Sequence, residues 1–84
     1  VVLLADTSSS VVIGIPCTAN MRALRFLHTV SITRSRHNGL EHDSIALVLQ
    51  IRAIDKTRLE KKVGVLEKTM LQKIERELKR LLAL

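Results

Sequence analysis

The chain has few of the residues that support common kinds of functional site. Its 84 residues include one cysteine, one proline and one aromatic residue, Phe26. One cysteine excludes an internal disulfide framework and a cysteine-rich zinc site. Single-strand and RNA-binding platforms usually stack bases on Phe, Tyr or Trp, and this chain has one such ring to offer. No apolar run approaches the roughly 20 residues of a membrane-spanning helix, so we expect no membrane contact.

The composition is that of a small globular domain. Hydrophobic residues make up 46% of the chain and charged residues 26%, which argues against disorder. We expect one domain over residues 1–84, near the lower size limit for an independent core. The first residue is Val, and the apolar run Val1–Ala5 resembles a buried strand without a polar lead-in. We therefore expect the domain to lack its natural N-terminal part. With no export signal and a lone thiol, the cytoplasm is the expected location.

Positive charge is concentrated in the second part of the chain. The net charge is +6; residues 1–50 hold four basic and three acidic side chains, whereas residues 51–84 hold ten and five. A basic surplus favours partners that carry phosphate or carboxylate groups. The alternative is that these charges simply solvate one face of a helix.

Hydrophobic patterning predicts an α+β fold. Polar clusters at 6–10 and 34–43, the latter with the turn sequence Asn38-Gly39, separate the apolar runs, and residues 20–26 resemble a loop. A short helical turn is expected within 55–62. Apolar residues spaced three and four apart predict an amphipathic helix over 67–84. Strands before a terminal helix favour a small antiparallel sheet. The predicted strands are 1–5, 11–15, 28–33, 44–51 and 63–66.

Few residues form a pattern typical of a chemical site. His28, His37, His42 and Cys17 match no common zinc spacing, so we predict no metal site and no cofactor. Thr18 follows Pro16-Cys17 at the end of a predicted strand, where a side chain can reach a ligand. The alternative is that Cys17 packs as a small hydrophobic residue and Thr18 only ends the strand.

Two segments resemble a known family. They are GIPCTAN (Gly14–Asn20) and HDSIALVLQIRAIDKTRLEKKVGVL (His42–Leu66), followed by an amphipathic last helix. The most specific part is LQIRAIDKTRLEKKVGVL (Leu49–Leu66), which is similar to a Gln-Ile-Arg-x-Ile-Asp-Lys-x-Arg-Leu element. Together they resemble the MazF/PemK family of bacterial toxin endoribonucleases, over essentially the whole chain.

The resemblance implies a fold, an activity and partners. The implied fold is a small antiparallel SH3-like barrel of the CcdB/Kid/MazF type with a C-terminal helix, working as a homodimer. The implied activity is metal-independent, sequence-specific cleavage of single-stranded RNA, in which the ribose 2′-OH attacks the adjacent phosphate. The implied partners are single-stranded RNA and an acidic antitoxin that lies along the RNA groove.

The resemblance also implies roles for individual residues. Thr18 matches the threonine that acts at the scissile phosphate. Gln50 and Arg52 match the polar members of the Gln-Ile-Arg element, which line or support the groove. Asn20, Arg22 and Arg25 fall in the loop that follows the threonine and helps to define the RNA channel. The alternative for Arg52 is an ion pair with Asp55.

The chain also departs from the family pattern. Relatives begin with a strand carrying Arg-Gly, a flexible loop and Arg-Pro before the strand that matches VVLLA, and an arginine there is the usual acid–base group. Leu49 stands where many relatives have an acidic residue. These departures leave open a second hypothesis, a non-catalytic module that binds antitoxin, nucleic acid or itself. A third is a structural interaction domain whose amphipathic helix drives assembly. We also expect self-association, since the last helix has many apolar positions.

Overall fold

Two small sheets and a terminal helix make up the part of the chain that the computed structural model describes, residues 2–6, 9–59 and 62–83. This arrangement confirms the predicted α+β class. Three short 3₁₀-helices, Met21–Arg25, Val48–Gln50 and Lys56–Arg58, connect the strands and follow the last one. The remaining elements are β1 (Val2–Asp6), β2 (Val11–Ile15), β3 (Cys17–Thr18), β4 (Thr29–Ile32), β5 (Ser44–Leu47), β6 (Arg52–Asp55) and helix α1 (Lys68–Leu82).

The chain passes between the sheets at two corners that face each other. The sheets have the strand orders β1-β2-β6 and β3-β5-β4, all antiparallel. Thr18 pairs with Ile45 and Gly14 pairs with Arg52, so the strand carrying residues 45–52 has three more residues than its partner. Those three residues form the 3₁₀-turn Val48–Gln50.

This turn corrects the prediction of one strand over 44–51. Pro16 lies opposite the corner, and its carbonyl accepts a hydrogen bond from the Leu47 N–H at 2.9 Å. Proline has no N–H to donate in return, so the ladder stops at this point. The chain then turns and resumes as β6, a strand that the sequence analysis did not separate from the preceding run.

Aliphatic side chains from both sheets and from α1 form the core. Strand β4 alternates as predicted, with Val30 and Ile32 buried and Ser31 exposed. Burying one such isoleucine stabilises the fold by about 1.5–3 kcal/mol. The core cluster consists of Ile15, Val30, Ile32, Ala46, Val48 and Ile74.

Helix α1 confirms the amphipathic helix predicted from the spacing of its apolar residues. Ile74 is fully buried, whereas Leu82, near the end, is 60% exposed. The helix ends at Ala83, which has a φ of 57° and donates its N–H to the Arg80 carbonyl. No helix in the described ranges has the length and apolarity to cross a membrane.

Residues 63–66 run beside the turn at residues 37–39, but they do not form the predicted strand. One backbone hydrogen bond, from the Val65 N–H to the His37 carbonyl at 2.9 Å, holds them there. Glycine allows the close crossing. A Cβ on Gly39, whose φ is +69°, would lie 2.0 Å from the Val63 oxygen, and a Cβ on Gly64 would lie 2.4 Å from the Asn38 carbonyl carbon. At that crossing the backbones are too close for a regular ladder.

A buried amide fixes the same turn to the start of α1. Asn38 is 4% exposed. Its Nδ2 donates to the Thr33 carbonyl at 2.9 Å and to Glu67 Oε1 at 3.0 Å, and its Oδ1 accepts from the Ser35 and Leu40 N–H groups. The Ser35 hydroxyl donates to Glu67 Oε2 at 2.5 Å. A network in which each member is hydrogen-bonded rigidifies the segment that it joins.

The remaining local predictions have mixed outcomes. Met21–Arg25 is a 3₁₀-helix and not the loop predicted over 20–26. The short helical turn expected within 55–62 is confirmed at Lys56–Arg58. Parts of four predicted segments lie outside the described residues: Val1, Thr7, Ser8, Glu60, Lys61 and Leu84.

Candidate nucleic-acid interface

Thr18 ends the two-residue strand β3, which was not predicted as a strand separate from 11–15, and faces away from the core. The preceding Cys17 packs against the core, its thiol lies 3.8 Å from the Ile15 carbonyl, and burial raises its pKa. Because neighbouring side chains on a strand point to opposite faces, the inward position of Cys17 turns Thr18 outward. Cys17 thus behaves as a small hydrophobic residue, whereas Thr18 remains accessible and half-buried.

The Thr18 hydroxyl oxygen begins a run of local hydrogen bonds. It accepts from the Asn20 N–H at 3.1 Å, and Asn20 Oδ1 accepts from the Arg22 N–H at 3.1 Å. Asn20 is therefore the N-cap of the 3₁₀-helix Met21–Arg25. Across the described residues, the Thr18 hydroxyl has no hydrogen-bond acceptor, so its proton can be donated to a ligand.

Two exposed arginines follow Thr18 and Asn20. Arg22 and Arg25 lie in the 3₁₀-helix, and residues 19–27 contain no acidic side chain. The Arg25 guanidinium carbon lies 5.2 Å from the centroid of the Phe26 ring, within cation–π range. The backbone after Thr18 thus presents two positive charges to the solvent, which suits an anionic ligand.

Exposed apolar side chains accompany these arginines, a feature that the sequence analysis missed. Met21, Leu24 and Leu27 are 44%, 51% and 76% exposed, and Phe26 is 54% exposed. Ala23 is the buried residue of this 3₁₀-helix. Met21 and Leu24, both within the helix, are three residues apart, which is the period of a 3₁₀-helix. That spacing is the feature from which an ordered, partly apolar segment could have been predicted.

Gln50 ends the 3₁₀-turn Val48–Gln50 and Arg52 begins strand β6, beyond the corner at which the chain passes out of the sheet that holds Thr18. Both are exposed. Arg52 pairs with Gly14, four residues before Thr18 and on the other side of the corner at Pro16. The structure thus links Thr18, Asn20 and Arg22 by hydrogen bonds, and none of these bonds includes Gln50 or Arg52.

The alternative ion pair between Arg52 and Asp55 is wrong. Residues three apart on a strand point to opposite faces. Within the ranges that the structure describes, no ion pair joins them, and Asp55 Oδ1 accepts from the Thr57 N–H at 3.3 Å as an N-cap. The Arg52 guanidinium is therefore available to a ligand.

The histidines are dispersed and not gathered into a metal site. His28 Nδ1 lies 3.2 Å from Glu77 Oε2, a contact that ties the start of β4 to helix α1. In residues 2–6, 9–59 and 62–83, no three His, Cys, Asp or Glu side chains are grouped so that they could hold a metal ion.

The fold and this surface define a class: a small α+β domain with a basic, hydroxyl-bearing edge and a packed terminal helix. A family model described as "PemK-like, MazF-like toxin of type II toxin-antitoxin system" matches residues 1–82. The chain therefore belongs to the PemK-like toxin family, and this membership implies an antitoxin partner. A search of curated proteins gave no significant match.

Proposed function

We propose that this protein is a toxin that cuts single-stranded RNA without a metal ion, at a site centred on Thr18. The observation that supports this proposal is the state of the Thr18 hydroxyl. It is accessible, it is oriented by the Asn20 N–H at 3.1 Å, and it can donate its proton. In the reaction the ribose 2′-hydroxyl loses its proton to the solvent, its oxygen forms a bond to phosphorus, and the bond from phosphorus to the 5′-oxygen breaks. The products are a 2′,3′-cyclic phosphate and a 5′-hydroxyl group, which takes up a proton.

The side chains of this chain stabilise charge and bind the strand. Negative charge grows on the non-bridging phosphate oxygens as the 2′-oxygen attacks, and a donor aimed at them lowers the barrier. Thr18 supplies that donor, while Arg22, Arg25 and Arg52 attract neighbouring phosphates and Gln50 supports the groove. In the family that the chain resembles, an arginine N-terminal to the strand equivalent to β1 is the usual acid–base group.

The partners follow from the same surface. An acidic, extended antitoxin segment would compete with RNA for Arg22, Arg25 and Arg52, because both ligands are anionic polymers. We also propose a homodimer that acts in the cytoplasm, where mRNA is available. The 60% exposure of Leu82 at the end of α1 supports self-association, and sedimentation at micromolar concentration measures it directly.

A second candidate is a binding module without catalysis. The observation that favours it is that Arg52 lies in the other sheet from Thr18, beyond the corner at Pro16. Among the described residues, no charged side chain forms a hydrogen bond with the Thr18 hydroxyl. A module of this kind would bind RNA or antitoxin and leave RNA intact.

Replacing Thr18 by alanine separates the two candidates. The protein is incubated with single-stranded RNA in the presence and absence of EDTA. We expect T18A to cut at least about 10²-fold more slowly, the usual effect of losing one such donor. Its stability should change by no more than about 1 kcal/mol, as at most partly exposed sites. The matched control is T69A, which removes an exposed threonine from α1.

Three results would contradict the proposal. If T18A cuts RNA as fast as the parent protein, Thr18 only ends the strand and has no part in cleavage. Loss of cutting in EDTA would contradict the metal-free mechanism. Cutting of RNA whose 2′-hydroxyls are replaced by hydrogen would contradict the attack by the 2′-oxygen. Tight RNA binding with no cutting by the parent protein would favour the binding module.

A further inference from the structure

Building on the proposed RNA substrate, we propose that Phe26 and Arg25 form a stacking site for one base of single-stranded RNA. The ring of Phe26 lies outside the core, at 54% exposure. The core cluster is entirely aliphatic, so the one aromatic side chain contributes little to folding. Its position on the surface suggests a role in binding.

The Arg25 guanidinium gives the ring a chemistry suited to a nucleotide. Its carbon lies 5.2 Å from the ring centroid, so a planar cation and an aromatic ring form one surface. A base stacks on either plane, and the cation attracts the phosphate attached to that base. Every base has an aromatic face, so this contact tolerates any sequence while it fixes where the strand lies.

Backbone hydrogen bonds hold Phe26 in a fixed relation to Thr18. The Asn20 N–H donates to Thr18 Oγ1, the Ala23 N–H to the Asn20 carbonyl and the Phe26 N–H to the Ala23 carbonyl, each at 3.0–3.1 Å. The Phe26 carbonyl in turn accepts from the Thr29 hydroxyl at 3.4 Å. The ring therefore stands on a segment whose geometry is set from the proposed reaction site, as expected for a residue that positions substrate.

The charge of the segment favours RNA over an apolar protein partner. Arg22 and Arg25 are the charged residues of 19–27, and no carboxylate there could pair with a basic partner. The proposed reaction site begins the same segment, so a strand bound at Thr18 continues towards Phe26. An acidic protein segment is the competing occupant, and the experiment includes it.

The test follows one fluorescent base along an uncleavable strand. Single-stranded RNA with 2′-O-methyl groups carries 2-aminopurine at one position at a time, and its fluorescence falls when the base stacks. We expect quenching at one position with the parent protein and its loss in F26L. RNA affinity should fall about 5- to 150-fold in F26L, which is about 1–3 kcal/mol for one stacked base. F26Y should restore both, and L27A, which removes a more exposed apolar side chain, should change affinity less than twofold.

An abasic RNA distinguishes stacking from a general effect on the surface. When the quenched base is removed, the parent protein and F26L should bind equally, because the contact is already lost. Equal binding of intact RNA by both proteins, or an F26L defect that persists with abasic RNA, would overturn the proposal. So would an F26L defect confined to a glutamate-rich peptide, since that would mark a protein-binding surface.

The outcome of this binding test does not depend on whether the protein cuts RNA. Quenching at Phe26 by a protein that never cuts RNA would contradict the proposed function and support the stacking site. Cleavage that is unchanged in F26L, with no quenching in the parent, would contradict the stacking site and support the proposed function. A parent protein that binds no RNA would contradict both.

Discussion

The two loops beside strand β4 differ in what holds them in place. The loop before β4, residues 19–28, is ordered by local hydrogen bonds up to its last residue, His28, which contacts Glu77 and Val48. It exposes the apolar side chains of Met21, Leu24, Phe26 and Leu27. The loop after it, residues 33–43, is tied to distant residues by the buried Asn38 amide and by the close crossing with Val63. The sequence predicts a loop at residues 20–26 and a polar turn at residues 34–43. The difference indicates that the 33–43 loop supports the fold, whereas the 19–28 loop is available to a ligand.

The largest effect is expected where the 33–43 loop crosses residues 63–64. In G39A the new Cβ would lie 2.0 Å from the Val63 oxygen at a φ of +69°. Because both the contact and the backbone conformation are unfavourable, we expect a loss of about 3 kcal/mol or more in the free energy of unfolding. Urea denaturation measures it.

The control for G39A is the reverse exchange at another left-handed position. Ala83 ends α1 with a φ of 57°, so A83G should stabilise the protein by up to about 1 kcal/mol. A G39A protein that is as stable as the parent would show that the crossing is not tight.

A matched pair of asparagine substitutions compares the loops directly. N38D places a carboxylate 3.0 Å from Glu67 Oε1, where an amide donor was, and should cost about 2–4 kcal/mol at pH 7. N20D keeps the oxygen that accepts from the Arg22 N–H and should change stability by less than about 0.5 kcal/mol, because Asp and Asn cap equally well. Thermal melts of both variants test the comparison, and equal effects would contradict it.

The loss of stability in N38D should depend on pH, and its direction of change can be predicted. Two adjacent carboxylates raise the pKa of one of them above its unfolded value, so the folded state binds more protons. The defect of N38D should therefore shrink as the pH falls from 7 towards 5. A defect that is constant over this range would show that Glu67 does not face residue 38.

Several of these features could be predicted from the sequence and others could not. The strands at Val2–Asp6 and Val11–Ile15, the helix, and the turn at Asn38-Gly39 depend on local patterns, which a sequence displays. The three-residue corner at Val48–Gln50 depends on Pro16, which lies about thirty residues earlier and faces it only after folding. The Asn38–Glu67 contact likewise joins residues that no local pattern connects.

The candidate site likewise has features that the sequence predicts and features that depend on the folded structure. Thr18 could be found because it follows Pro16-Cys17 at a strand end, and the family resemblance added Gln50 and Arg52. The outward direction of Thr18 depends on Cys17 packing inward, which requires the core. The ring–guanidinium pair of Phe26 and Arg25 could not be predicted, because adjacent residues contact each other only in particular backbone conformations.

Glu67 gives a smaller effect, with the opposite dependence on pH in the parent protein. Hydrogen bonds from the Ser35 hydroxyl, from backbone N–H and from Asn38 hold the pKa of Glu67 below its ordinary value of 4.5. A lowered folded pKa gives stability that is present above the unfolded pKa and lost as the pH falls through the folded one. The stability difference between the parent and E67Q should therefore shrink on acidification from pH 5 to pH 3. E75Q, an exposed helix residue, is the control, and a difference that stays constant would contradict the network.

The smallest stability effects belong to the arginines of the 19–28 loop. R22A and R25A remove exposed side chains and should change stability by less than about 0.5 kcal/mol. Each should lower the slope of log affinity for single-stranded RNA against log salt by about 0.7. The matched control, R36A in the 33–43 loop, should leave this slope unchanged. A slope that falls in R36A and not in R22A would show that RNA binds the 33–43 loop and would contradict the account.

The most direct test of the account is an NMR titration of the labelled protein with uncleavable single-stranded RNA. The account predicts that the backbone amide signals of Thr18 to Leu27, and those of Gln50 and Arg52, shift on binding. The amides of Ser35 to Leu40, which the Asn38–Glu67 network holds, should keep their positions. Shifts confined to Ser35–Leu40, with the signals from Thr18 onward unchanged, would contradict the assignment of RNA binding to the 19–28 loop.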